Sequence, residues 1–370
     1  MAAAQAGAGF GGIAPEPRGG AGVDDFGLFQ LGGPVATVVP TGFVNNVRDG
    51  GAEIDTNGNN VTLATNLVSS GGTLTKSGAG RLELTGTHSY TGATSINAGT
   101  LLLSEGGYRT PSFNIATSAV LQLHTDARLD YGTNTTFTGT GTLLKTGFGT
   151  VFWGTTAATF AMGAGSLIDV QGGNFVAGSS ANEVWTNNLA SLNVAAQAVF
   201  RTIESDVRVD ALTGSGAIQM GFGGYPNSGL TVGVNNFAAG SYNSAGSANF
   251  SGTIFDIGRL IKAGTGTLTL SGNNVHTGAT TVQAGTLRLG VDQAFSASSA
   301  LTINPGATFD LNGQSETING LIATSAGNAV ITNTALGPAV ITFGANNSTS
   351  NINSAAGGVT TITNSGTIRS

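Results

Sequence analysis

The stretch Leu74–Leu103 returns 186 residues later as Leu260–Leu289, without a gap and with sixteen of thirty positions identical. A unit of that size has too little apolar surface to close a core of its own, so the copies must bury their inner faces against neighbours. A degenerate third copy opens at Leu143 with Leu-Leu-Lys-Thr-Gly-Phe-Gly-Thr-Val-Phe-Trp and closes near Gly163–Ile168, about three residues shorter. After each copy comes a second unit, running Phe113–Leu123, Leu192–Arg201 and Leu301–Leu311. Each reads as a short strand, a turn of small residues and another strand. One unit follows the other three times, which describes an array.

The local pattern indicates what kind of array. In Arg81-Leu82-Glu83-Leu84-Thr85 and Thr286-Leu287-Arg288-Leu289, apolar and polar residues alternate with the period of a half-buried strand. Leu102 occupies the place of Arg288 and is expected to point outward. The strands are expected to run three to six residues and to end at Gly-x-Gly, Asn-Gly or one of six Asn-Asn pairs, residue types that tolerate a left-handed corner. Composition agrees: 60 of 370 residues are Gly and only 9 % are charged. Gly, Thr, Asn, Ser and Val are poorer helix formers than Ala, Leu, Glu or Lys, the glycines lack collagen's triplet period, and no apolar run reaches the roughly 20 residues of a membrane-spanning helix. The fold expected is all-β, a single-stranded right-handed parallel β-helix with small residues inside. Its coils would stack about 4.8 Å apart. At roughly 20–25 residues per coil the chain supplies about 14 to 17 of them.

The motif Leu-x-Lys-x-Gly-x-Gly-x-Leu-x-Leu-x-Gly, continued by Thr-Gly-x-Thr and Ala-Gly-Thr-Leu-x-Leu, resembles the autotransporter-associated β-strand repeat, or passenger-associated transport repeat. Leu74–Leu103 and Leu260–Leu289 carry it. The resemblance implies a surface-displayed passenger exported through an outer-membrane β-barrel, with coil stacking supporting export. Such a protein would be extracellular, and adhesin or virulence roles are common associations. The chain shows neither a convincing signal peptide at Met1 nor a barrel-type strand pattern at its end. It stops at Thr367-Ile-Arg-Ser370 in what reads as mid-coil, so a fragment, or an exporter supplied elsewhere, is expected.

Residues 1–42 read as a flexible Ala/Gly-rich leader, with Asp24–Leu31 as a possible N-terminal cap. Residues 43–370 read as the β-helix, truncated at the C-terminus. A loop-rich insertion around 216–250 is expected to protrude and to meet partners. Thirteen Lys and Arg against 19 Asp and Glu give a net charge of −6, which disfavours nucleic acid. With no Cys, disulfides, thiolate metal sites and a Cys nucleophile are excluded.

Chemistry-bearing residues are sparse. Gly7-x-Gly9-x-x-Gly12 follows no strand pattern and is not a dinucleotide loop; no Gly-x-Ser-x-Gly elbow occurs. His88, His124 and His276 read as loop polar residues, with Tyr90 rather than His88 aligning with His276. Two groupings invite comparison with glycan-cleaving β-helices: His124, Asp126 and Asp130 around Arg128, and Glu204, Asp206 and Asp210 around Arg208. Charge alternation of this kind is also what a solvated face shows. Lys76, Lys145 and Lys262, each two residues before a Gly-x-Gly turn, are expected to bind corner carbonyls. Trp153, Trp185, Tyr225 and Tyr242 are too scattered to mark a sugar platform. The function expected is a structural or adhesive rod with a host-surface, cell-surface or polysaccharide ligand. No catalytic, cofactor-binding or metal residue is expected; the alternative is a polysaccharide lyase or glycoside hydrolase.

Overall fold

A computed structural model describes residues 51–344 apart from 65, 106–107, 109, 132–133, 154–156, 179–183, 224–227, 324–328 and 337. It also gives the backbone of five flanking strands, Gly27–Gln30, Thr37–Val39, Asn45–Asn46, Asn351–Ile352 and Thr361–Asn364. Of the leader and cap expected over 1–42, residues 1–26 lie outside the described residues. Among the described residues there is no helix, and the strands pair in parallel, as a coil that returns on itself each turn requires.

The axis of the molecule is a long sheet of fifteen strands, one from each coil. Between Val61–Leu63 and Val330–Asn333, successive strands of this sheet begin 19 to 25 residues apart, except for a step of 35 from Leu212 to Ser247. Within each strand, alternate residues point inward and are fully buried, as with Leu82 and Leu84, Leu101 and Leu103, and Leu287 and Leu289. The intervening residues form an outward column whose register runs Glu83, Leu102, Gln122, Leu144, Asp169 and Asn193. Leu102 holds the outward register expected of it yet is only 5 % exposed, flanked by Glu83 and Gln122.

Two shorter faces close each coil. The first carries seven strands from Gly27–Gln30 to Ala158–Met162 and is continued by seven more from Asp206–Val209 to Asn351–Ile352. The stretch around Val184–Leu189 joins them, through Phe160 N–H to Val184 O at 2.8 Å and Leu189 N–H to Met162 O at 2.9 Å. Among the described residues the first strand is Gly27–Gln30, within the segment read from sequence as a possible cap, and it pairs in parallel with Ala52–Asp55. The third face is interrupted. It has six strands from Arg128–Asp130 to Thr253–Phe255 and short pairs at either end.

The interior is not uniformly made of small residues. Two columns of stacked rings fill the middle coils: Tyr108, Tyr131, Trp153, Phe175 and Phe200 behind the third face, and Phe113, Phe137, Phe160 and Trp185 behind the first. Centroid separations run from 3.9 Å between Phe160 and Trp185 to 5.8 Å between Tyr131 and Trp153. The columns meet edge-on at Trp153, whose plane lies 88° from that of Phe160, the favoured geometry for ring edges on ring faces. Trp153 and Trp185 are therefore core residues.

The repeated sequence encodes a corner rather than a position in the coil. Lys76 and Lys262 lie on the first face, and the turn after each leads into the long sheet. Lys145 lies in the long sheet itself, paired with Leu123 and Val170, and its turn leads onto the third face. The same displacement holds for the second unit: Phe113–Leu123 and Leu301–Leu311 turn from first face to long sheet, Leu192–Arg201 from long sheet to third face. The third copy is the same device, one face further round the coil.

Candidate functional site

The corners are built first by backbone constraint. The glycine two residues after each lysine has positive φ, +75° at Gly78, +80° at Gly147 and +66° at Gly264. The next glycine, Gly80 or Gly149, leaves no room for a Cβ against the carbonyl of Asn59 or Ala127 in the preceding coil. Each lysine is fully buried, and its ammonium donates to three carbonyls, two in its own corner and one in the following coil. Lys76 Nζ reaches Ser77, Gly78 and Ala98 at 2.8, 2.7 and 3.0 Å; Lys145 reaches Thr146, Gly147 and Gly172 at 2.7, 2.9 and 3.1 Å. Lys262 reaches Ala263, Gly264 and Ala284 at 2.7, 2.9 and 2.9 Å. Burial lowers each pKa to about 8, so the charge is retained at neutral pH. These residues are the carbonyl clamps expected of them.

His88 and His276, read from sequence as loop polar residues, are buried. Both sit where the third face has shrunk to a loop, and each makes a buried side-chain bond there. Leu67 N–H donates to His88 Nδ1 at 3.2 Å, as Ile254 N–H donates to Asn274 Oδ1 at 2.9 Å. His276 Nε2 lies 2.9 Å from Thr280 Oγ1, as Tyr90 Oη lies 2.7 Å from Thr94 Oγ1. Burial lowers both imidazoles to about 4 and keeps them neutral. The Asn-Asn pairs also divide. Asn236 takes the positive φ expected of a corner, whereas Asn188 and Asn274 point inward and are buried.

The acidic groupings do not make an open catalytic pair. Asp126 Oδ1 accepts the Phe148 N–H at 2.9 Å, and Asp130 is held by Arg128 at 2.8 Å. Asp210 is buried and accepts three backbone N–H groups, from Asn235, Phe237 and Ala238, at 2.8, 2.9 and 2.7 Å. Asp206 pairs instead with Arg259 of a later coil at 2.7 Å. Glu105, His124 and Asp126 each offer a ligand atom within 4.8 Å of the others. Both oxygens of Glu105, however, already accept bonds, from Asp126 N–H at 2.6 Å and the Thr125 hydroxyl at 3.0 Å. This cluster ties one corner to the next.

The insertion expected to protrude is laid down on the rod. Three coil strands, Ala217–Gln219, Gly229–Val232 and Ser247–Phe250, lie within 216–250, so the excursion proper is 233–246. Its base is pinned by Asp210 and by buried Phe237, whose ring lies 5.0 Å from Lys262 Nζ. Gly246 N–H donates to Phe237 O at 2.8 Å, so the ends of the excursion meet. Its tip reaches back along the long sheet. Tyr242 Oη donates to Asp169 Oδ2 at 3.2 Å and receives Gln171 Nε2 at 3.4 Å, contacts across more than 70 residues. Outward Ser191, Asn193 and Thr213, on the two intervening coils, are buried.

Just beyond that tip the long sheet is open. Its outward row His124, Thr146 and Gln171 is in register, with His124 Nδ1 and Gln122 Nε2 3.0 and 2.9 Å from Thr146 Oγ1. Two exposed rings flank the row: Tyr242, 49 % exposed, on the docked tip, and Phe148, 77 % exposed, on the corner beside Thr146. Phe148 is a site residue that sequence reasoning missed. Its signal was a large apolar residue between two corner glycines, where the other copies carry Ala79 and Thr265. Tyr225 lies outside the described residues.

A family model described as Passenger-associated-transport-repeat matches residues 74–103 and 260–289. The degenerate copy at Leu143 is not among the matched residues. Over 364 residues, 87 % of the chain, the sequence is 29 % identical to the "Adhesin BmaC autotransporter" of Brucella suis biovar 1 (strain 1330). The chain spans about a tenth of that relative's length. No solved structure matches.

Proposed function

We propose that this chain, a β-solenoid carrying two passenger-associated transport repeats, is a stretch of a surface-displayed adhesive passenger, a rod whose outer faces and docked excursion meet a surface ligand. The similarity to an autotransporter adhesin along 87 % of the chain carries the reading. The architecture supports it: stacked coils give length and stiffness, and the chain spends its carboxylates and lysines on holding corners together. Export then runs through an outer-membrane β-barrel, C-terminal or separate, and the rod stands outside the cell with a host-surface, cell-surface or polysaccharide ligand. The engagement of Asp126 and Asp210 by backbone N–H groups speaks for binding rather than for polysaccharide cleavage, which needs two carboxyl groups free to face one bond.

Adhesion of beads coated with the folded chain to cultured epithelial cells tests the proposal. Removing Gly221–Gly246 is unsuitable, because it takes out the coil strand Gly229–Val232. Replacing 239–244 with a two-residue turn spares the coils, since Phe237 and Gly246 already adjoin. Beads carrying the native chain are expected to adhere and those with the shortened excursion to lose most of that adhesion at an unchanged β spectrum. No adhesion by the native chain, or full adhesion by the shortened one, would overturn the assignment.

A further inference from the structure

We infer that the open row on the long sheet is a binding platform for an uncharged, extended glycan chain running along the rod axis. The inference rests on the adhesive reading above and names its ligand class. His124, Thr146 and Gln171 present an imidazole, a hydroxyl and an amide oxygen in succession, one group per coil, the Gln171 Nε2 being turned to Asp169 and Tyr242, and Gln122 stands beside them. Neighbouring strands are about 4.8 Å apart. An extended β-linked sugar chain advances by nearly that distance per ring, so each sugar would meet one coil and hydrogen-bond through its ring hydroxyls. An extended peptide advances about 3.3 Å per residue and alternates its sides, so it falls out of step with a ladder of this spacing.

The flanking rings fit the same ligand. Phe148 and Tyr242 are among the most exposed large apolar side chains described, and both stand beside a row of hydrogen-bonding groups. A sugar presents C–H groups on its ring face and hydroxyls at its edge, matching an aromatic wall next to a polar floor. Tyr242 is held in place through its hydroxyl by Asp169 and Gln171, which leaves the ring itself half open. The excursion 233–246 thus does two things: it lies over the neighbouring column at Asn193 and Thr213, and it sets a ring beside Gln171. Asp126 and Glu105 beside Phe148, and a net charge of −6, oppose an anionic polymer.

The test is titration of the folded chain with chitohexaose, cellohexaose and xylohexaose, followed by calorimetry. At least one is expected to bind, with affinity falling tenfold or more in Phe148→Ser and in Tyr242→Ala, and at least threefold in Gln171→Ala. Thr269→Ala, on the same sheet but beyond the excursion, is expected to leave it unchanged. Should Tyr242→Ala disturb the excursion, Phe148→Ser, at an exposed corner, still decides. Failure of all three sugars to bind, or binding untouched by Phe148→Ser, overturns the inference. If the beads adhere equally to cells before and after periodate oxidation of their surface sugars, the glycan inference falls while the adhesive reading stands.

Discussion

The two repeat coils, 74–103 and 260–289, and the middle coils from Tyr108 to Phe200 close the same triangular path by different means. In the repeat coils the third face has no strand of its own. There a backbone N–H is met by buried His88 or Asn274, buried Tyr90 or His276 bonds a threonine hydroxyl, and the rest of the interior is mainly aliphatic. In the middle coils the third face is a true strand, and the interior is filled by two columns of rings. The repeat thus specifies a corner plus a reduced face, whereas the coils between repeats supply bulk. In a stacked array each coil leans on its neighbours, so the aromatic block buttresses the aliphatic coils on both sides.

The most forceful way to break the comparison is Trp153→Ala. That ring touches both columns, and a buried Trp truncation costs about 3–5 kcal/mol. Urea unfolding followed by far-UV circular dichroism should show it. A loss below about 1 kcal/mol would mean that the columns do not carry the middle of the rod.

Acid separates the regions next, because the buried imidazoles sit in the repeat coils. Their folded pKa, about 4, lies below the 6.5 of the unfolded chain. A lowered pKa means that the unfolded chain binds the proton more readily. The stabilisation is therefore complete above pH 6.5 and is lost as pH falls toward 4, by up to about 3 kcal/mol per group. His276→Tyr installs the residue that stands at the matching place in the other copy, and should abolish its share of the acid sensitivity while stability at pH 7.5 changes little. Equal acid sensitivity in the variant would place the responsible group elsewhere.

A smaller effect tests whether the corner device is one device. Lys262→Met and Lys145→Met each strip a donor from three carbonyls, while relieving the burial of a charge, for a net loss of about 2 kcal/mol. The two losses should agree within about 1 kcal/mol although the corners lie on different faces. A larger gap, read by urea midpoint, would make the displaced copy a separate structure.

Much of the fold was legible because its rules are local. Alternation at Arg81–Leu84, the Gly-x-Gly corners and the lysine before them each act within a few residues, and the match of Tyr90 with His276 holds atom for atom. Three things were not legible, each for want of non-local information. The copy at Leu143 carries the corner signal, but which corner it turns depends on how many residues the preceding faces consumed. The burial of His88 and His276 depends on the third face shrinking to a loop, which only the path of adjacent coils reveals. The docking of 233–246 depends on Tyr242 meeting Asp169 across 73 residues, and a Gly/Asn/Ser-rich stretch carries no sign of it. For the candidate platform the same limit applied. Phe148 stands out in sequence only as a large residue between corner glycines and Tyr242 only as a scattered ring, and with Gln171 they come together only when coils are stacked.

The mildest prediction asks whether the excursion is fastened at both ends or only at its base. At the base, Asp210 gathers three backbone N–H groups around a buried Phe237, whereas at the tip a half-exposed phenol makes two longer bonds. Tyr242→Phe removes the tip bonds and keeps the ring, at a cost near 0.5–1 kcal/mol, too little to shift unfolding clearly. Hydrogen exchange resolves it. Amides of 240–245 should exchange several-fold faster in the variant, while those of Asn235, Phe237 and Ala238 at the base stay protected, because opening the tip leaves the Asp210 cradle intact. If the base amides loosen together with the tip, the excursion opens as one unit, and the contrast between a firm base and a light tip is lost.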